Sequence, residues 1–289
     1  MLDIHCHGGG GFYFSDSDPE NIKIAIEAHK KSGTEQLIAS LVTDSIDNLK
    51  SQIKRLVPFY DRGEIVGIHL EGPYLSHRRC GAHDPNLLRL PNLDEIESLI
   101  DIGQGAIAMM TVAPELEGAI ETIEYLSLID VIAAIGHTDG NGADAVAAIE
   151  AGAKVVTHFT NAMSKVIEDE ESFAHQVLND PRILLELIVD GAHVPLNTVV
   201  EIFQKAPRRV ILVSDAMSAA GCDDGNYMIG PLEVEVRNSI ARLRSNGSLA
   251  GSTLTLRRAS EIAIHAGVSQ ELVAHATTLA PQSLFPKRK

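Results

Sequence analysis

The chain has 289 residues, 45% of them hydrophobic and 22% charged, and a formal net charge of −15; that suits one barrel domain of about 250 residues with a small appendage. The acidic balance argues against nucleic acid and anionic membranes as partners, and it means that any phosphate site has to be built locally. Cys6, Cys80 and Cys222 lie far apart with no CxxC, which fits a reducing cytoplasm, and no apolar run reaches the roughly 18 residues of a membrane helix.

Eight strand-like runs are expected, at residues 2–7, 36–42, 65–71, 106–113, 131–136, 154–159, 184–190 and 209–214. Most are near-continuous apolar runs, as strands buried on both faces should be. The chain begins inside the first of them, so no signal peptide is expected. Helices are expected between the strands: 19–32 behind the cap Asp18, 46–60 behind Asp44 or Ser45, then 94–102, 116–128, 143–151, 172–178 and 196–205. Strand and helix in alternation imply a parallel sheet, and eight repeats favour an α/β fold closed into a (β/α)8 TIM-type barrel over an open doubly wound sheet. After Asp215 the pattern changes. A short hairpin is expected from 229–236 and 241–243, then a loop at NGSLAGSTL, helices at 252–266 and 270–277, and a basic tail, PKRK. One domain spanning 1–289 is the economical reading, with barrel strands over 2–215 and the hairpin and helices over 216–280.

The polar residues of these apolar runs fall at their C-terminal tips, where a barrel builds its active site. His5 and His7 are two apart on the first strand and share a face. HxH there fits a metal site, although two histidines near a Gly-rich loop can also meet by chance. Glu71 ends GIHLE and has to be paired, protonated or metal-bound; His69 shares its face as a supporting partner. His137 and His158 end neighbouring strands. With Glu71 they make a His2Glu set, and three protein ligands with an open position suit a catalytic zinc. Against that stand a structural ion pair for Glu71 and satisfied core histidines for the others. Asp215 ends the eighth run, where a carboxylate can take a proton from water and pass it to a leaving amine; a further metal ligand or a helix cap is the alternative. His83, His193, Asn161 and Ala162 sit on mouth loops as weaker candidates for substrate contact.

Taken together, HCHGGGG, GIHLEGPYL, GAHDPN, IGHT, THFTNAM, DGAHV, VSDAM and GSLAGSTLT resemble, in order, the blocks of the N-acetylglucosamine-6-phosphate deacetylases of the amidohydrolase superfamily. The resemblance covers almost the whole chain, and HLEGP followed by THxxNAM is its most specific part. It implies a metal-dependent cytoplasmic hydrolase that frees acetate from N-acetylglucosamine 6-phosphate in amino-sugar catabolism. It implies one or two divalent ions, zinc first, held by Glu71, His137 and His158, with His5 and His7 supporting a second ion in some members. Asp215 becomes the general acid/base. Ala82, His83, Asn161, Ala162, Asp190, Gly191, Ala192, His193, Leu249, Ala250 and Gly251 become substrate contacts. A small-molecule amino-sugar phosphate is the implied partner, and a homodimer is implied by the resemblance alone. The chain departs from the family in two respects. Asp169 stands where the family usually has a phosphate-binding Arg, with Arg78, Arg79 or Lys165 as substitutes. That departure keeps another amidohydrolase activity on a cyclic amide or N-acyl substrate open. The segments of the family's flanking β-sandwich are not recognised in this sequence, which keeps an inactive remnant or a sugar-binding module open as further alternatives.

Overall fold

The computed structural model describes residues 1–164, 167–229 and 232–285; Lys165 and the tail from Pro286 to Lys289 lie outside them. Eight parallel strands form one sheet whose spatial order is the chain order: β1 (Leu2–Cys6), β2 (Gln36–Val42), β3 (Gly67–Glu71), β4 (Ile107–Val112), β5 (Ile132–Ile135), β6 (Val155–Val156), β7 (Leu184–Ile188) and β8 (Val210–Val213). Every residue of β1, β3, β4 and β8 is buried, which explains their largely apolar sequences, broken by Asp3, His5, His69, Glu71 and Thr111. Just past β8 the sheet closes on β1. Asp215 N–H donates to the His5 carbonyl at 2.9 Å, and His7 N–H donates to the Ala216 carbonyl at 2.8 Å. The expected TIM-type barrel is the fold.

Helices α1 (Pro19–Lys31), α2 (Ile46–Asp61), α3 (Leu93–Gly103), α4 (Ala119–Leu128), α5 (Gly142–Glu150), α6 (Phe173–Asn179) and α7 (Leu196–Lys205) alternate with the strands. Asp18 caps α1, its side chain accepting the Glu20 N–H. Ser45 caps α2, while Asp44 instead accepts from Ser45 N–H, Asn48 and Gln52. Asn141 and Asp144 close a capping box on α5, satisfying donors at both ends of the first turn.

Beyond β8 the structure differs from expectation. The hairpin is a three-stranded antiparallel sheet: β9 (Gly225–Ile229), β10 (Leu232–Arg237) and β11 (Ile240–Leu243). β9 opens with Gly225-Asn226 and buries only Ile229 fully, so its sequence shows little strand character. One face of this sheet packs a small apolar cluster of Val234, Val236, Leu243 and Met217. The helix expected at 252–266 is α8 (Leu256–His265), capped by Thr255. It starts late because the Ser252 carbonyl accepts the Met217 N–H at 2.8 Å while the Ser252 N–H donates to the Asp215 carbonyl at 2.7 Å, which holds the preceding loop against the barrel mouth. Two short helices, α9 (Gln270–Thr277) and α10 (Leu279–Ser283), follow. No helix among the described residues is long and apolar enough to cross a membrane.

Gly72, directly after β3, has φ of +84°, and a Cβ there would lie 2.2 Å from Thr43 Oγ1. Gly72→Ala is therefore expected to cost about 2–4 kcal/mol, through overpacking and a left-handed backbone carrying a side chain. Thermal denaturation checks this, and an unchanged melting temperature would show that Thr43 yields freely.

Candidate active site

His137, His158 and Asp215 each stand two residues beyond the last residue of their strand, in β5, β6 and β8. All three have positive φ, at 48°, 28° and 46°. That conformation is uncommon for residues with a side chain and gathers at functional sites. Here it turns each chain off the strand axis at the barrel mouth. Glu71 is the last residue of β3, His5 lies within β1, and His7 follows one residue past it.

The six side chains converge. Glu71 Oε1 lies 3.1 Å from His137 Nε2 and 3.0 Å from His158 Nε2, and those two nitrogens are 3.0 Å apart. Glu71 Oε2 lies 3.2 Å from His7 Nε2 and 3.4 Å from His83 Nε2. His5 Nε2 and His7 Nε2 are 3.1 Å apart, and Asp215 Oδ1 is 3.6 and 3.3 Å from them. Burial alone would push the Glu71 carboxyl up, but the His5 charge and the imidazoles that crowd it hold it well below its ordinary value. Asp215 follows the same logic. Burial opposes its charge, yet His5 and His7 bring it down to about 2. Burial disfavours a charged His5, but Glu71, Glu186 and Asp215 outweigh it and raise that imidazole well above the usual range. His7 and His158 are also raised against burial, chiefly by bonds to Asp215 and Glu71 for the first and to Glu71 for the second. His137 goes the other way, pushed down to about 4 by burial.

The donor set fits a divalent cation. His137 Nδ1 lies 2.8 Å from the Arg79 carbonyl, which can only accept, so Nδ1 carries the hydrogen. At neutral pH the ring is uncharged, so Nε2 presents a lone pair to a carboxylate oxygen 3.1 Å away. Two lone pairs at that distance repel unless a positive centre lies between them. His5, His7 and Glu71 bring ligand atoms within 4.8 Å of one another, as do Glu71, His83 and His137. All these residues are buried, and buried carboxylates and imidazoles in such numbers need a counter-charge.

A cavity of about 280 Å³ opens above this cluster. Ala82 and His83 line it from the loop after β3, Asn161 and Ala162 from the loop after His158, and His193, Leu249 and Gly251 from later loops. His83 Nδ1 lies 2.8 Å from Thr43 Oγ1 and 3.3 Å from Thr43 N, which turns Nε2 toward Glu71. Asp190, Gly191, Ala192 and Ala250 do not line the cavity. Asp190 instead accepts from Ala192 N–H, His193 N–H and His193 Nδ1 at 2.7–2.8 Å and so aims His193. Its carboxyl is held low against burial by the bond from His193. Ala250 is fully buried in the small apolar cluster under the β9–β11 sheet.

Among the other residues singled out in the sequence, His69 and Asp169 lie elsewhere than expected and Arg78 and Arg79 lie at the site. His69 does not bond to Glu71. It lies between Ser40 Oγ at 3.0 Å and Thr111 Oγ1 at 2.8 Å, deeper in the barrel, and burial with the nearby His5 charge pushes it well below its ordinary value. Asp169 lies outside the active-site cavity, beside Glu170 and Glu171 on a separate surface hollow. Arg78 and Arg79 do line the active-site cavity, both paired to Asp139 at 3.1 and 2.9 Å. The sequence reading missed Glu186, a fully buried carboxylate of β7 beneath the site.

No protein-family model matches the chain. It is 33% identical to N-acetylgalactosamine-6-phosphate deacetylase of Escherichia coli O157:H7, over 98% of this chain and 76% of that protein. It superposes with a TM-score of 0.96 and 38% identity on a mutant N-acetyl-D-glucosamine-6-phosphate deacetylase of Mycobacterium smegmatis in complex with N-acetyl-D-glucosamine-6-phosphate, covering 99% of this chain and 77% of that one. The chain belongs to the N-acetylglucosamine-6-phosphate deacetylase family. A further member, from Bacillus subtilis (strain 168), is 33% identical over 89% of this chain and 66% of its own length. The chain thus spans about two thirds to three quarters of the length of these deacetylases. In this family member the barrel, its mouth loops and the six converging side chains are all present.

Proposed function

We propose that the chain hydrolyses the acetamide of an N-acetylhexosamine 6-phosphate, N-acetylglucosamine 6-phosphate first, to give the free amino sugar phosphate and acetate. The observation that carries this reading is the convergence of His137 and His158 Nε2 on one oxygen of the buried Glu71 carboxylate, with Asp215 across the cavity floor. Glu71, His137 and His158 would hold a divalent cation, zinc by the Glu/His chemistry of the set, and His5 and His7 would support a second. When bound, such an ion makes water a nucleophile near neutral pH and polarises a carbonyl.

The chain's own groups do the rest. Asp215, ionised at any pH above about 2, accepts a proton from the attacking water and returns it to the departing amine nitrogen. His83, on the cavity wall with Nε2 facing the site, donates to the oxyanion that develops at the acetyl carbon whenever that nitrogen carries a hydrogen. Asp190 keeps the His193 ring turned toward substrate. The C–N bond breaks, and acetate and amine leave. One domain carries this chemistry; a cytoplasmic location and a homodimer belong to the same proposal, on the family resemblance and three unpaired cysteines.

Arg78 and Arg79 are the cationic residues of the cavity wall and take the phosphate in this reading, with Asp139 orienting them in its absence. The test is acetate release from N-acetylglucosamine 6-phosphate, its galacto epimer and unphosphorylated N-acetylglucosamine. The relative named for the galactosamine substrate makes the epimer a real second candidate. The phosphorylated gluco sugar is expected to turn over fastest. Replacing both arginines by alanine is expected to raise its KM by about 10–100-fold, the worth of charged hydrogen bonds. Equal rates with and without the phosphate would remove the substrate assignment.

A further inference from the structure

Glu186 sits in the middle of β7, inside an apolar run, with no surface exposure. It does not line the active-site cavity. One of its oxygens makes two contacts. Oε2 accepts the backbone N–H of His158 at 3.1 Å and lies 2.9 Å from His5 Nδ1. The other oxygen has no hydrogen-bond partner among the described residues. The hydrogen bonding of this buried group is thus devoted to two of the converging histidines, one from each half of the site.

The consequences differ for the two. Because Oε2 acts as an acceptor toward His158 N–H, the His5 contact has His5 Nδ1 as donor. That puts the only hydrogen of a neutral ring on Nδ1 and leaves a lone pair on Nε2, the nitrogen that faces His7, Glu71 and Asp215. For His158 the bond acts on the backbone. That residue has φ of 28°, and an N–H anchored to the barrel floor helps hold it in this conformation. Phe159 N–H also bonds to the Glu186 carbonyl at 2.8 Å, so side chain and main chain of one residue fix the same turn.

We propose that Glu186 is a positioning residue for cation binding: it sets the tautomer of His5 and the backbone angle of His158, so that each presents Nε2 toward Glu71 Oε1. This rests on the cation-holding cluster argued above. The opposing view is that Glu186 only fills the barrel interior, in which case replacing it changes stability and nothing else. Outer partners of metal-binding histidines contribute about 10–100-fold in metal affinity.

Zinc affinity, measured by competition with a chromogenic chelator on the full chain, separates the two and needs no substrate. Glu186→Leu keeps bulk and removes both oxygens; Glu186→Ala repeats the removal should the branched side chain not pack. Glu186→Gln retains an acceptor oxygen. The expected result is a 10–100-fold loss of affinity in the first two and recovery of most of it in Glu186→Gln. Unchanged affinity in all three, whatever their melting temperatures, overturns the proposal. An equal loss in all three also overturns it, since the acceptor would then not be the cause. A wild-type chain that binds no zinc overturns both this inference and the metal centre. A chain that binds zinc but releases no acetate removes only the deacetylase reading.

Discussion

Asp215→Asn is expected to lower kcat for acetate release by about 10²–10⁴-fold, the range for losing a general acid/base, while the protein stays folded and keeps its ion at Glu71, His137 and His158. The substitution isolates the proton-transfer role unusually well. Asp215 sits at φ of 46°, and asparagine is among the few residues that tolerate this conformation. The backbone bonds that place it, Asp215 N–H to the His5 carbonyl and Ser252 N–H to the Asp215 carbonyl, do not involve the side chain. What changes is basicity. A carboxylate held at about 2 is ionised throughout the working range and can accept a proton, whereas a carboxamide cannot. Metal content and turnover measured on one sample decide the matter. Bound metal with turnover abolished is the expected pair. An active variant removes the acid/base role. Loss of an ion with turnover retained would reassign Asp215 to ligation on the His5 and His7 side.

The four residues at the centre of this argument are legible in the sequence because buried parallel strands read as apolar runs, and a charged tip on such a run has no reason to exist without a partner. Glu71, His137, His158 and Asp215 all announce themselves this way. Glu186 does not, because it lies inside its run, LLELI, where a lone polar residue looks like noise in the pattern. Its role becomes visible only when β7 is set beside β6 and β8 closes onto β1, bringing residue 186 within reach of residue 5. His69 shows the converse limit. Period-2 spacing places it on the face of Glu71, as expected, but depth along the barrel decides its partners, and those are Ser40 and Thr111. Asp190 is visible as a polar residue past a strand end. Its position behind His193, outside the active-site cavity, depends on a turn whose φ at Gly191 is +79°. The small sheet after the barrel is half-legible for a simpler reason, since β9 is largely exposed and carries little apolar alternation.

Stripping the cation with a chelator is expected to abolish turnover and to lower the melting temperature, and the drop should grow as pH rises. An ion present at a thousand times its dissociation constant contributes about 4 kcal/mol to the folded state. In a domain this large each kcal/mol shifts the midpoint by about 2–4 °C, so a drop of roughly 8–16 °C follows. The pH trend comes from the titration of the cation-free cluster. His5, His7 and His158 hold protons above their ordinary range because Glu71, Asp215 and Glu186 surround them. Groups raised in the folded state contribute stability that is full below their unfolded values and disappears as pH climbs through the folded ones. The stripped protein therefore loses support on the alkaline side, where carboxylates face one another with neutral imidazoles between them. Glu71 and Asp215 are depressed, so their contribution holds above the ordinary carboxylate range and is lost only in acid. The loaded protein behaves oppositely on the alkaline side. The ion requires neutral imidazoles, so binding expels protons and tightens as pH rises. Melting curves with and without chelator, followed from about pH 5 to 8 where histidines ordinarily titrate and on to higher pH, should diverge steadily. Curves that stay superposed at every pH would mean that the six converging side chains hold no ion. Re-addition of zinc to the stripped protein should restore turnover and midpoint together, because the same site carries both.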